Sequence, residues 1–181
     1  GDWAITHFTV GENDPKALYY AFHGRPVPPG SYTRLCYKHE VVMSDTPAEV
    51  DDHREAIWKI GLFGGNILIT GLGLGVVLKA ALASPKVERV DVVEISNDVI
   101  ALVAPSYMDD PRVHIHHGNA FTFQPPKDLT WAVAWHDIWP TICSDNLPEI
   151  TKLHRKYARR VTSWQGSWAR SLCRRQTRNG Y

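Results

Sequence analysis

Three glycines alternate with leucine at Gly71-Leu72-Gly73-Leu74-Gly75, and an acid, Glu94, ends the run Val90-Asp91-Val92-Val93-Glu94. Glycine lets a backbone turn sharply and lets another group approach where a Cβ would collide. A carboxylate at the end of the following strand can accept hydrogen bonds from both hydroxyls of a ribose and would repel a 2′-phosphate. The spacing discriminates among nucleotides. The dinucleotide fingerprint is G-x-G-x-x-G/A, and its third position falls on Val76, whereas here the third glycine comes one residue early, at Gly75. This opposes NAD with its pyrophosphate and favours a G-x-G-x-G nucleoside loop.

Three later stretches add chemistry. Gly118-Asn119-Ala120 offers an amide, with one acceptor and one donor group, that can read an adenine edge; the same pair is also a common turn. Trp135-His136-Asp137-Ile138-Trp139-Pro140 offers His136 and Asp137 as candidate bases. Its indoles either wall a pocket for a cation or belong to the core. His114-Ile115-His116-His117 places two histidines on one strand face, but no Cys, Asp or Glu at ligand spacing accompanies them, so no metal is expected.

These groups need a scaffold, and the pattern supplies one. Thr46-Pro47-Ala48-Glu49 has the form of a helix start, and the helix is expected to run to about Ile60 and to end at Gly61, Gly64 and Gly65. Strands are expected at 66–70, 89–94, 112–117 and 131–136, and helices at 74–84, 97–107 and from Asn146. Such alternation means right-handed crossovers and a mainly parallel, doubly wound α/β sheet, with ligands at the carboxyl ends of its strands. Residues 31–43 read as one or two strands, and residues 1–30 show no clear pattern. The expected division is a β extension over 1–45, a nucleoside-binding domain over 46–168 and a basic tail over 169–181.

With 181 residues, 44% apolar and 22% charged, the chain can bury a core without staples. No apolar run is long enough for a bilayer, no signal peptide is visible at Gly1-Asp2-Trp3, and three separated cysteines suggest no disulfide framework, so a cytoplasmic protein without membrane attachment is expected. Charge is uneven. Residues 150–181 carry nine Lys or Arg and no acid, against a net of −8 for the rest. The cations are either a solvated helix face with a polar tail or a nucleic-acid surface, with Trp164, Trp168 and Tyr181 placed to stack on bases.

Ile67–Gly75, Val90–Ile95, Asp110-Pro111-Arg112-Val113, Gly118-Asn119-Ala120 and Trp131–Asp137 stand in the order and spacing of class I S-adenosyl-methionine-dependent methyltransferases. Over roughly residues 40–140 the chain most resembles the spermidine synthase branch, and its C-terminal third resembles short methyltransferase-like proteins encoded by phages. The resemblance implies a Rossmann-like fold and S-adenosyl-methionine, or its decarboxylated form, as the bound nucleoside. It implies that Gly71, Gly73 and Gly75 approach the methionine part and that Glu94 holds the ribose. It also places Ile95, Asn119 and Ala120 around the base, with Asn119 where the family has an Asp.

There are departures. Spermidine synthases carry Asp-x-x-Asp after the fourth strand; Asp137 matches the first acid, but Pro140 stands at the second. After the helix from Asn146 there is room for one further strand, Val161–Trp168, so a sheet abbreviated at its C-terminal edge is expected. The leading expectation is methyl transfer to a small-molecule acceptor, with Asp137 or His136 as base. Aminopropyl transfer and lyase cleavage of the cofactor are enzymic alternatives, and a non-catalytic nucleoside- or nucleic-acid-binding module is the alternative of another class. An oligomer is compatible with all of these.

Overall fold

The computed structural model describes residues 1–178. The chain opens on an antiparallel sheet that the sequence pattern showed only in part. Strand β1 (Trp3–Val10) pairs with β2 (Gly30–Tyr37), which pairs with β3 (Glu40–Ser44). Helix α1 (Pro15–Phe22), capped by Asp14 accepting from the Lys16 amide at 2.8 Å, joins the first two strands. Lys38 and His39 turn β2 into β3 with φ of 46° and 75°, the left-handed pair of a tight two-residue hairpin.

The expected helix over 46–60 is two helices. Helix α2 (Pro47–Asp52) stops at His53, whose φ of −98° and ψ of 1° break the ladder, and α3 (Arg54–Phe63) starts directly after it. Gly61 lies inside α3, and Gly64 ends it. The capping arrangement also differs from expectation. Thr46 makes no side-chain cap bond, and Glu49 reaches back to the Ser44 amide (2.6 Å) and hydroxyl (2.8 Å). The break matters because it turns His53 inward, where it is buried.

The remainder is the expected α/β sandwich. Strands β4 (Gly65–Thr70), β5 (Val87–Glu94), β6 (Val113–His117), β7 (Trp131–His136) and β8 (Val161–Ser167) form one parallel sheet in the order β6-β5-β4-β7-β8. Helices α4 (Val76–Leu82), α5 (Asn97–Val103), α6 (Asn146–Tyr157) and α7 (Arg170–Arg178) flank it. Helix α5 ends before Pro105, which sits in a 3-10 turn, so the expected helix to Tyr107 is shortened. The stretch expected as a tail is helical as far as Arg178, with Cys173 fully buried; Tyr181 lies outside the described residues.

Strand periodicity builds two cores. Ile67, Ile69, Val90, Val92, Val133 and Trp135 face Ala56, Ile60, Leu78, Ala81 and Val99 on one side. Leu68, Val93, Trp131 and Ala134 face Ile150, Leu153 and Tyr157 on the other. The strand order reverses between β4 and β7, and Thr70 pairs with His136 at their carboxyl ends. That reversal opens the crevice in which such sheets bind ligands. No helix among the described residues is long and apolar enough to cross a membrane.

Candidate functional site

A cavity of about 630 Å³ opens at this crevice. Its floor is the loop after β4. Gly71 has a φ of +92°, and a Cβ there would overlap the carbonyl oxygen of Asp137, so the close approach of the β4 and β7 ends requires glycine. Gly73 faces the sulfur of Met43, which also accepts from the Leu74 amide at 3.2 Å, and Gly75 faces the Tyr107 ring. The glycines thus admit neighbouring protein groups, beyond the ligand approach expected from sequence. Gly71 and Gly73 line the cavity; Gly75 instead starts α4, outside the lining.

Glu94 is buried and clamps the loop. Its two carboxylate oxygens accept from the Leu72 and Ser96 amides, both at 2.8 Å. A carboxylate has about four lone-pair sites, so capacity for two further donors remains, the number that a ribose diol supplies. Ile95, 65% exposed, presents an apolar side chain beside it. Asn119 and Ala120 line the same wall; the Asn119 side-chain oxygen Oδ1 already accepts from the Phe121 amide at 2.8 Å, leaving the side-chain nitrogen to donate. The residues present therefore fit an adenosyl group: a diol acceptor, an apolar flank and a polar edge in sequence around one cavity.

The cavity is acidic. Glu49 and Asp52 from α2, Asp137 after β7 and Glu149 from α6 join Glu94 in the lining. Arg25 is the only Lys or Arg there among the described residues, and it is held by Asp52 in a two-pronged pair at 3.0 and 2.9 Å. Asp137 and Glu94 were candidates from the sequence; Glu49, Asp52 and Glu149 were not. Glu49 was legible as a helix-start residue, but nothing in the local pattern aimed it or Asp52 at Asp137.

Asp137 has no oppositely charged neighbour that stabilises its ionised form. Its carboxyl is pushed up to about 7, first by burial and then by the negative charges of Asp52 and Glu49. His53 Nε2 lies 3.8 Å from Asp137 Oδ2, but burial lowers the His53 pKa, so the contact is not an ion pair at neutral pH.

His136 goes elsewhere. Adjacent strand residues point to opposite faces, and His136 is fully buried against Tyr157, away from the cavity lining. It lies 3.2 Å from the Gln165 side-chain oxygen and 3.0 Å from the Thr70 hydroxyl, and burial drops its pKa to about 3. It is a neutral, satisfied core histidine, not a base facing the cavity. Of the indoles, Trp135 is core and stacks on Trp164, whereas Trp139 and Trp168 line the cavity, as does Trp3 from the N-terminal sheet.

The C-terminal cations are partly spoken for. Lys156 donates to the Phe123 carbonyl, Arg160 to the carbonyls of Pro126, Lys127 and Leu129, and Arg170 to His154 Nδ1. His116 and His117 bind Asp91 and the Ile95 carbonyl.

No protein-family model and no curated protein matches the sequence. Solved structures do match. The spermidine synthase of Thermotoga maritima aligns over 75% of this chain and 48% of its own, with 17% identity and a TM-score of 0.54. The methyltransferase CcbJ of Streptomyces caelestis aligns over 61% of this chain and 45% of its own, with 22% identity and a TM-score of 0.48. The chain spans about half the length of either structure. At these identities the likeness is one of fold alone: the chain has the doubly wound, Rossmann-like α/β fold that the spermidine synthase structure also has.

Proposed function

We propose that the cavity binds an adenosyl sulfonium nucleoside of the S-adenosyl-methionine type and transfers a carbon group from it to an amine. The supporting observation is Asp137, a carboxyl whose pKa is pushed up to about 7 by burial and by the charges of Asp52 and Glu49, in the lining of the cavity. The nucleoside supplies an electrophilic carbon beside its sulfonium, whose sulfur leaves as a neutral thioether. Asp137 accepts a proton from the ammonium form of the acceptor and frees the nitrogen lone pair. Glu49 holds the remaining positive charge, and Trp139 and Trp168 limit water at the reacting centre. Positioning and proton removal are the protein's contributions. A polyanionic acceptor is disfavoured, because five carboxylates face the cavity and its one arginine among the described residues is paired; the exposed Arg174 and Arg175 are not in the lining.

The donor divides two versions. Methyl transfer uses S-adenosyl-methionine, whose own carboxylate needs a cationic partner. Aminopropyl transfer uses the decarboxylated form, which lacks it, and the committed state of Arg25 favours this second version. Incubating the protein with each donor, with and without a diamine, and identifying products by mass spectrometry tests both. A methylated amine with S-adenosyl-homocysteine marks the first, and an extended polyamine with methylthioadenosine marks the second. Methylthioadenosine formed from S-adenosyl-methionine without an acceptor marks a lyase and overturns the amine reading.

A further inference from the structure

The basic end of the chain folds into one surface. Helices α6 and α7 pack against each other on one side of the parallel sheet. Exposed Lys152, Arg155 and Arg159 run along α6 and just past it, and exposed Arg174 and Arg175 stand on α7. Residues 150–178 include no acid. Elsewhere Arg25, Arg54, Arg89 and Arg112 each meet an aspartate at 2.7–2.9 Å; among the described residues no carboxylate pairs with Lys152, Arg155, Arg159, Arg170, Arg174 or Arg175. Lys152 with Lys156 and Arg170 with Arg174 stand at i,i+4 spacing, where like charges repel. Arg170 is the sharpest case. It is half-buried, and it donates to His154 Nδ1 at 3.3 Å. Burial and the charges of Arg170 and Arg174 drop the His154 pKa to about 4, so the ring is neutral and Nδ1 accepts. The His154 Nε2 lies 2.8 Å from the Ser167 hydroxyl, and the Gln165 side chain donates to the His154 carbonyl at 2.9 Å. The guanidinium is thus aimed by a neutral ring that leaves most of its five N–H donors free of that contact. A cation partly withdrawn from water without a counter-charge is unfavourable. Arg170 also opens α7, whose first turn holds no acid, so the positive end of the helix dipole adds to its charge. The arrangement calls for an anion from outside the chain.

We propose that the α6–α7 face binds the phosphate backbone of a nucleic-acid duplex, with Arg170 and Arg174 on one phosphate at the start of α7 and Lys152, Arg155 and Arg159 on the phosphates beyond it. The partner is separate from the acceptor of the cavity, and the proposal does not depend on the amine reading. Arginine dominates the face, and its planar fork matches two phosphate oxygens at once. A bilayer is the poorer partner. A helix that lies in a membrane surface needs an apolar face, and the apolar residues of α7 are Leu172 and Cys173, the second fully buried. A single strand is also poorer, because it is held by stacking on aromatic rings. Trp164 stacks on Trp135 in the other core, and Trp168 lines the large cavity. Phosphate contacts alone carry no sequence information, so binding is independent of base sequence. The net charge of −8 over the rest of the chain turns this face, and no other, toward a polyanion.

The test is fluorescence anisotropy with a labelled DNA duplex of about 20 base pairs, titrated at salt concentrations from about 50 to 200 mM. Each phosphate contact contributes about −0.9 to the slope of log affinity against log salt, so five contacts give about −4.5. Two duplexes of unrelated sequence should bind within about twofold of each other, and a single strand of the same length less tightly. The double variant Arg155→Glu/Arg174→Glu should lose at least about tenfold in affinity at low salt and about 2 in slope. Lys16→Glu/Lys79→Glu changes the net charge equally through exposed cations on α1 and α4 and should stay within about twofold of the wild type. Melting temperatures identify any variant that fails to fold, and the milder Arg155→Gln/Arg174→Gln should then show a smaller loss in the same direction. No saturable binding at low salt, equal losses in the two charge-reversed pairs, tighter binding of the single strand, or binding to phosphatidylserine vesicles with none to the duplex would each overturn the proposal.

Discussion

Two aspartates of one sheet, Asp91 on β5 and Asp137 just past β7, meet opposite fates. Asp91 is fully buried and completely satisfied. Arg89 donates to it twice at 2.8 Å, His116 Nε2 at 2.8 Å and Trp131 Nε1 at 2.9 Å. Burial alone would raise its pKa, but these donors and the Arg89 charge outweigh it and hold the carboxyl far below the usual range. Asp137 has no such donors and two acids nearby, and burial carries it up to about 7. One carboxylate is permanently charged and ties three strands together; the other exchanges a proton near neutral pH at the mouth of a crevice. The difference separates a carboxylate that holds the fold from one suited to chemistry.

The largest contrast is expected in catalysis. Asp137→Asn keeps the shape and removes the base, so kcat/KM for amine transfer should fall by roughly 10²–10⁴, while the melting temperature at pH 8 does not fall. In the wild type the same quantity should rise with pH through about 7, because only ionised Asp137 accepts the proton. A pH-independent kcat/KM would remove Asp137 from the reaction. Asp91→Asn should do the reverse. It strands Arg89 and His116 and should cost about 3–5 kcal/mol in urea unfolding, with the nucleoside affinity of the folded protein unchanged. Full stability in that variant would mean that the network is decoration.

Glu94 stands between the two cases. Its oxygens bind the Leu72 and Ser96 amides, as a structural carboxylate does, and face the cavity, as a functional one does. Glu94→Ala should weaken adenosyl nucleoside binding by roughly 1.5–3 kcal/mol in calorimetry, and Glu94→Gln, which retains one acceptor oxygen, by less. Equal affinities across the three proteins would confine Glu94 to its clamp.

What the sequence made legible follows from the reach of each signal. The parallel strands and the glycine loop were legible because apolar runs and glycine spacing are local and repeat. The β1 strand was not, because it is mostly half-exposed and carries no continuous apolar run. The break at His53 was hidden because Val50, Ile57 and Ile60 keep helical spacing across it. Helix α7 was hidden because its described burial rests on Cys173. His136 and Asp137 were indistinguishable as bases by position alone; the twofold pleat separates them, and no composition signal marks which face is the cavity. The acids Glu49 and Asp52 belong to the site by tertiary contact, which no spacing along the chain encodes.

The smallest expected effect isolates the two aspartates by their pH dependence of stability. For Asp137 the native pKa lies above the unfolded value of about 4, so between about 4 and 7 the native state holds the extra proton. Stability from this group is therefore fully present below about 4 and is lost as pH rises through about 7. A shift of this size would amount to about 4 kcal/mol for a sealed group; the side chain is 25% exposed, so about 1–2 kcal/mol is expected after solvent screening. Asp91 has the opposite sign. Its native pKa is depressed, so its contribution is present above about 4 and is lost as pH falls toward the native value. Urea unfolding of the wild type, Asp137→Asn and Asp91→Asn at pH 4.5, 6 and 8 reads both. Relative to the wild type, Asp137→Asn should gain stability from pH 4.5 up to about 7 and then level off, whereas the deficit of Asp91→Asn should stay nearly constant over that span and shrink only in stronger acid. A deficit of Asp91→Asn that disappears at pH 8, or an Asp137→Asn curve parallel to the wild type, would show that the surrounding charges are arranged otherwise than Arg89 on one side and Glu49 and Asp52 on the other.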